Sequence, residues 1–243
     1  MSGHSHAKTV KRTKDANDAK RGKIFSKLSR LISIAAKNGS DPESNAKLKQ
    51  AVDEARKANM PKENVAKAIQ RGSGETKDGE QLEEVLYEAL GPGGANIIIE
   101  GITDNKNRTL LEVRQILQKN NGKLASEGSM KWAFEQKGII VVEVKQQDKD
   151  ELELKAIEAG AEDTKWFQQD KEKFLEIITA VDNLEQAKQN LENQNIVISS
   201  SALGWLAKEE TSLPEKETTA CEKLFDALDD NDDIQQIYSN LKS

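Results

Sequence analysis

Residues 137–203 read KGIIVVEVKQQDKDELELKAIEAGAEDTKWFQQDKEKFLEIITAVDNLEQAKQNLENQNIVISSSAL. A run of β-branched residues at 139–144 predicts a buried strand. A helical pattern follows at about 149–159 and an apolar pair at about 165–168. A second buried run spans 174–180, a second helix about 182–193, and a last strand 196–200. The order is β-α-β-β-α-β, the ferredoxin-like unit.

The flanks do not stand alone. Before the unit, Val85, Tyr87 and Ala89 alternate with polar residues as in a half-buried strand. Gly91-Pro-Gly-Gly94 predicts a turn, Ile97 to Ile99 a buried strand, 107–120 a helix and 129–134 a short strand. After the unit come a helix at about 216–229 and a strand at about 233–238. Two strands, a helix and a strand on one side complement a helix and a strand on the other. The ferredoxin-like unit, 137–203, is therefore expected as an insertion in a discontinuous α+β domain made of 79–136 plus 204–243. A contiguous cut, 79–136 followed by 137–243, is the competing division.

Upstream the pattern is helical. Ile24, Leu28, Leu31, Ile32 and Ala35 follow the i, i+4, i+7 rule, predicting a helix from about 15 to 37 that ends at Asn38-Gly39. Asp41-Pro42 is expected to cap a second helix whose inward residues are Leu48, Ala51, Val52 and Ala55. Pro61 starts a third, with Gly72 past its end. Residues 1–77 thus form a basic helical domain built on a three-helix bundle. A Gly-rich linker follows at 72–79. The fold class is α+β and multidomain: this bundle, then two α+β domains.

The chain has 243 residues, 32% of them charged, and a net charge of −6. That net value conceals a split: residues 1–77 hold 18 Lys/Arg against 8 Asp/Glu, and the remainder holds 18 against 34. Such asymmetry predicts a basic module for a polyanion on an acidic body that repels phosphate and offers a surface to a protein partner. The alternative is that the basic module docks on its own acidic neighbour. The cations are Lys8, Lys11, Arg12, Lys14, Lys20, Arg21, Lys23, Lys27 and Arg30. On a helix, Lys20, Lys23, Lys27, Arg30 and Lys37 fall in an arc of about 100° beside the apolar stripe. Phe25 is the one aromatic within 1–77 and lies in the apolar arc. Base stacking is disfavoured, and contacts to backbone and shape are expected on DNA or folded RNA.

Two further stretches are candidate sites. Asn59, Met60, Pro61 and Lys62 form a loop that either probes a partner or merely punctuates two helices. Lys106 and Arg108 lie in Thr103-Asp-Asn-Lys-Asn-Arg-Thr109, a strand-to-helix junction able to hold an anion or simply to cap itself. The acidic run 229–233 fails as a calcium loop, because Ile234 stands where Gly is needed and Asn240 where a bidentate Glu is needed. Two histidines (His4, His6) supply no catalytic spacing, and one cysteine (Cys221) excludes a disulfide framework and a cysteine-rich zinc site. With Met1 removed, Ser2-Gly3-His4 could hold Cu(II) or Ni(II) in a square plane, a property read here as incidental. A non-enzymatic protein without cofactor or metal is expected. No run of about 18 apolar residues and no apolar leader stretch occur, so no membrane association and a cytoplasmic location are expected.

Several segments resemble the YebC/PmpR family: Gly3-His4-Ser5, Asp18-Ala-Lys-Arg-Gly-Lys-Ile-Phe25, Ala58-Asn-Met-Pro-Lys62 and Ala68-Ile-Gln-Arg-Gly72. So do Tyr87 with Gly91-Pro-Gly-Gly94, Thr103 to Thr109, and Gly128-Ser129 with Trp132 and Phe134. Their shared order along nearly the whole chain carries the resemblance. It implies three domains and a transcriptional regulator that binds DNA. For some members, including a mitochondrial translational activator of cytochrome oxidase, it implies instead a ribosome-bound role on difficult stretches such as proline runs. There the loop at Asn59 to Lys62 would reach toward the peptidyl-transferase region. The sequence departs from the family at His6-Ala7-Lys8, where a Trp is common.

Overall fold

The computed structural model describes the backbone of residues 18–74, 81–145, 148–169 and 172–242, and the side chains of all of these but 18–20 and 169. The helical domain contains α1 (Asp18–Ala36), α2 (Ala46–Lys57) and α3 (Lys62–Gly72). Ile32, Leu48, Val52, Ala55 and Ala68 form its buried core. The second helix starts later than the sequence suggested. Asn45 is the cap, accepting the Leu48 N–H at 3.1 Å, while Asp41 closes a turn by accepting the Glu43 N–H. Asn45 wins because its amide also donates to Ala35 O and Gly39 O, tying the cap to the end of α1. Helices α1 and α3 meet closely. Ser33 Oγ donates to Ala68 O at 2.8 Å, and a Cβ on Gly72 would lie 2.1 Å from Ser33 O.

Two four-stranded antiparallel sheets follow. The first contains β1 (Glu83–Leu90), β2 (Asn96–Thr103), β3 (Lys123–Leu124) and β8 (Ile234–Ser239), in the order β3-β1-β2-β8. The second contains β4 (Phe134–Val144), β5 (Asp163–Gln169), β6 (Glu172–Thr179) and β7 (Ile198–Ala207), in the order β5-β6-β4-β7. Helices α4 (Lys106–Lys119) and α7 (Glu215–Asp229) cover one face of the first sheet, and α5 (Lys149–Ala159) and α6 (Leu184–Asn193) one face of the second. The chain leaves the first sheet after β3, builds the second, and returns to add β8 beside β2.

The Ile97-Ile98-Ile99 run is fully buried because β2 is covered on both faces. Ile97 and Ile99 pack with Val113, Leu117, Leu224 and Phe225 under the helices. Ile98 points the other way, against Tyr238, Phe134 and Trp205, where the two sheets meet. Trp205 Nε1 donates to Glu100 Oε1 across that junction at 2.7 Å. The strand expected at 129–134 is instead a loop ending in one 3₁₀ turn, Lys131–Ala133. Strand β4 begins at Phe134 and runs on through Gly138, pairing with β7 from Ala207 back to Ile198. No helix among the described residues is long and apolar enough to cross a membrane.

Candidate nucleic-acid interface

Helix α1 places its cations at the spacing its sequence requires, but they face the turn between α7 and β8. Lys23 Nζ pairs with Asp230 at 2.8 Å. Lys27 Nζ donates to the Asp229 carbonyl at 2.9 Å and to its carboxylate at 3.2 Å. Arg30 meets Asp233 Oδ1 at 2.9 Å and Ile102 O at 3.2 Å. Lys37 donates to Leu82 O. The expectation of an open basic stripe is corrected for Lys23, Lys27 and Arg30: in this arrangement they hold the helical domain against the acidic body. Arg21 is exposed, its guanidinium 5.9 Å from the Phe25 ring centre. Lys8, Lys11, Arg12 and Lys14 lie outside the described residues, as does the side chain of Lys20.

Asp233 is the centre of this contact. A register shift at Glu100/Gly101 brings β8 against β2, and a Cβ on Gly101 would lie only 2.6 Å from Asp233 O. Ile102 N–H donates to that carbonyl at 2.8 Å. The carboxylate then sits beside Thr109 Oγ1 (2.5 Å), Arg108 Nη2 (3.0 Å) and Thr103 Oγ1 (3.1 Å) on one oxygen, with Arg30 on the other. Burial pushes this carboxyl up, but the hydrogen bonds from Thr109 and Arg108 and the charge of Arg30 outweigh it, leaving it below the usual range. One side chain thus joins α1, the β2–α4 junction and β8.

This also corrects the anion site expected at Lys106 and Arg108. Arg108 is held by Asp104 at 2.5 Å and by Asp233, and Lys106 pairs with Glu83 at 2.6 Å. Asn105 caps α4 by accepting the Arg108 N–H at 3.1 Å. The junction recognises carboxylates of its own chain.

In the loop at 59–62, Met60 is turned inward and the other three residues are exposed. Met60 is 6% exposed and packs in the helical core. Asn59 has φ of 57°, and the bonds Met60 N–H to Ala55 O and Asn59 N–H to Arg56 O close helix α2 as a Schellman motif. Asn59, Pro61 and Lys62 remain exposed. Sequence reasoning missed the outer face of α3. Lys67 and Arg71, four residues apart, are exposed and without an ion-pair partner among the described residues. Arg71 lies within Ala68-Ile-Gln-Arg-Gly72, so that motif was the available signal. Beside it a cleft of about 320 Å³ opens between α1 and α3, lined by Ser26, Ser29, Arg30 and Arg71.

A second preorganised feature lies on the acidic body. Buried Glu88 accepts backbone N–H bonds from Gly128 (2.6 Å), Met130 (2.5 Å) and Lys131 (2.9 Å). Burial raises its carboxyl, and these bonds together with the nearby Lys131 lower it further than that, to below the ordinary range. The clamped loop presents Trp132 at 70% exposure, with its indole N–H given to Ser129 O.

Residues 5–75 match the family model for the TACO1/YebC protein N-terminal domain, and 82–241 match that for the TACO1/YebC second and third domain. A "probable transcriptional regulatory protein" of Persephonella marina is 45% identical over 244 residues, covering 100% of this chain and 96% of its own. One of the same description from Pelotomaculum thermopropionicum is 44% identical over 243 residues, covering 99% and 98%. The crystal structure of a conserved hypothetical protein from Aquifex aeolicus superposes with a TM-score of 0.85 at 40% identity, over 93% of this chain and 91% of that one. With both of its halves matched in order by one family's models, the chain belongs to the TACO1/YebC family.

Proposed function

We propose that this chain is a non-enzymatic regulator of transcription that binds DNA through its N-terminal helical domain. The observation that carries this reading is the division of charge. Residues 1–77 carry 18 Lys/Arg against 8 Asp/Glu, while the rest of the chain is strongly acidic. Phosphate affinity comes largely from released counterions and needs several cations together. With Lys23, Lys27 and Arg30 engaged by the acidic turn, the exposed cations of this domain without a hydrogen-bond or ion-pair partner among the described residues are Arg21, Lys47, Lys62, Lys67 and Arg71; the sequence of residues 8–20 adds Lys8, Lys11, Arg12, Lys14 and Lys20. The descriptions given to the relatives from Persephonella and Pelotomaculum support a regulatory role.

Gradient sedimentation from gently lysed cells, with and without RNase, tests the reading. Migration away from ribosomes, with DNA binding that weakens steeply with salt, is the expected result. Co-migration with ribosomes that RNase abolishes would overturn it and assign the same basic domain to ribosomal RNA and to translation.

A further inference from the structure

We infer that the cleft between α1 and α3 is a phosphate site that seats one phosphodiester of a nucleic-acid backbone. This rests on the proposed function and gives it an anchoring point. The cleft is lined by two guanidinium groups and two hydroxyls: Arg30, Arg71, Ser26 and Ser29. Its volume, about 320 Å³, suits a phosphate with part of its sugar. The small Ser26 and Ser29 side chains, one turn apart on α1, make the room.

The donor set fits a tetrahedral anion. The side chains of Ser26, Ser29 and Arg71 take no hydrogen-bond or ion-pair partner among the described residues. Arg30 is different, since Asp233 and Ile102 O already fix its guanidinium. A guanidinium carries five N–H donors, so donors remain after those two bonds, and the group is held rigid. Its charge is largely balanced by Asp233, which leaves Arg71 as the uncompensated positive charge of the cleft. Arg71 is therefore the residue that attracts the phosphate. Ser26, Ser29 and Arg30 orient it. Lys67, one turn before Arg71, extends the positive surface for a neighbouring phosphate.

The test uses the full-length chain. Binding of a short labelled DNA duplex is followed by fluorescence anisotropy across a salt series for wild type, Arg71→Gln and the double variant Ser26→Ala/Ser29→Ala. The substituted side chains hold no partner among the described residues, so thermal melts matching wild type confirm that the variants fold. Arg71→Gln is expected to weaken binding several-fold and to reduce the slope of log affinity against log salt by roughly one unit. The double serine variant is expected to weaken binding with little change of slope. In parallel, inorganic phosphate titrated into ¹⁵N-labelled protein should shift the amides of Ser26, Ser29 and Arg71. Wild-type duplex binding that both variants leave unaltered would overturn the cleft and spare the proposed function. Phosphate shifts without duplex binding would support the cleft as a site for free phosphate and overturn the DNA reading. Neither signal would overturn both.

Discussion

Replacing Asp233 tests whether the helical domain is held by a buried network or merely by surface charge. In Asp233→Asn the amide retains one oxygen. Three donors, Thr103, Thr109 and Arg108, converge on one carboxylate oxygen and only Arg30 on the other. The amide oxygen therefore stays with the three, and its N–H₂ turns toward Arg30. The variant loses one charge-assisted bond and faces a donor with a donor. Removing one partner of a buried ion pair costs about 3–5 kcal/mol. Arg30 is 20% exposed, so water recovers part of that cost, and about 2–3 kcal/mol is expected for Asn. Asp233→Ala strands both threonines and both arginines and should reach the full range. For a chain of this length 1 kcal/mol moves the melting temperature by about 2–4 °C, so Asp233→Asn should melt about 5–10 °C lower.

Asp230→Asn is the control. It breaks the exposed pair with Lys23, whose side chains are 45% and 75% exposed, and such pairs contribute about 0–1 kcal/mol. The pH dependence supplies an independent check. The folded Asp233 carboxyl lies below its unfolded value of about 3.9, so its contribution is complete above that pH and is lost as pH falls through the folded value. The gap between wild type and Asp233→Asn should stay constant from neutral pH down to about 5 and narrow below about 4. Calorimetry showing equal shifts for Asp233→Asn and Asp230→Asn at neutral pH would refute the network argument.

Gly72→Ala puts a Cβ 2.1 Å from a backbone carbonyl on α1, so overpacking of about 1–3 kcal/mol should outweigh the gain in helix propensity; urea unfolding checks this. Glu88→Gln keeps one oxygen for Met130 and Lys131 and turns its amide toward Gly128 N–H, so hydrogen exchange should quicken most at Gly128. Cys221 is fully buried, and that burial pushes its thiol up to about 11. Alkylating reagents at pH 8 should spare it until the protein unfolds, and prompt stoichiometric labelling of the native protein would contradict its placement.

The periodicities of the sequence were sufficient for the helices and for most strands, because those signals are local. They failed where the deciding partner is remote. Helix α1 displays its basic stripe plainly, yet Lys27 meets Asp229 across 202 residues, and nothing near Lys27 encodes that. The run 229–233 was legible as an acidic turn but not as the surface that receives α1. Composition favours Met60 packing on the bundle, and the resemblance is what favours a probing loop; the Schellman motif that turns Met60 inward depends on the left-handed Asn59 and is not a composition signal. Strand β3 has two residues, too few to show alternation. The start of β4 was obscured by Glu135-Gln-Lys137, polar residues in the stretch that pairs with β7 before the pairing with β6 begins at Gly138, where Lys137 bridges Glu135 and Glu162.

The three docked cations of α1 are not equivalent, and their burial ranks how readily each could be transferred to a phosphate. Lys23–Asp230 is a solvated pair worth less than about 1 kcal/mol, so a phosphate replaces Asp230 at little cost. Lys27 is 10% exposed and also holds a backbone carbonyl. Arg30 is bound into the Asp233 network, and pulling it out would leave a buried carboxylate without its partner. Lys23→Gln should therefore lower the salt slope of DNA binding by up to roughly one unit with almost no change in melting temperature. Arg30→Gln should do the reverse, destabilising the fold while altering the slope little, because its charge is already balanced by Asp233. Equal effects of the two variants on slope would mean that the domain releases all of α1 when it binds. In that case the acidic turn would be a competitor for the whole stripe, and lengthening the pairing surface at 229–233 would weaken nucleic-acid binding in proportion.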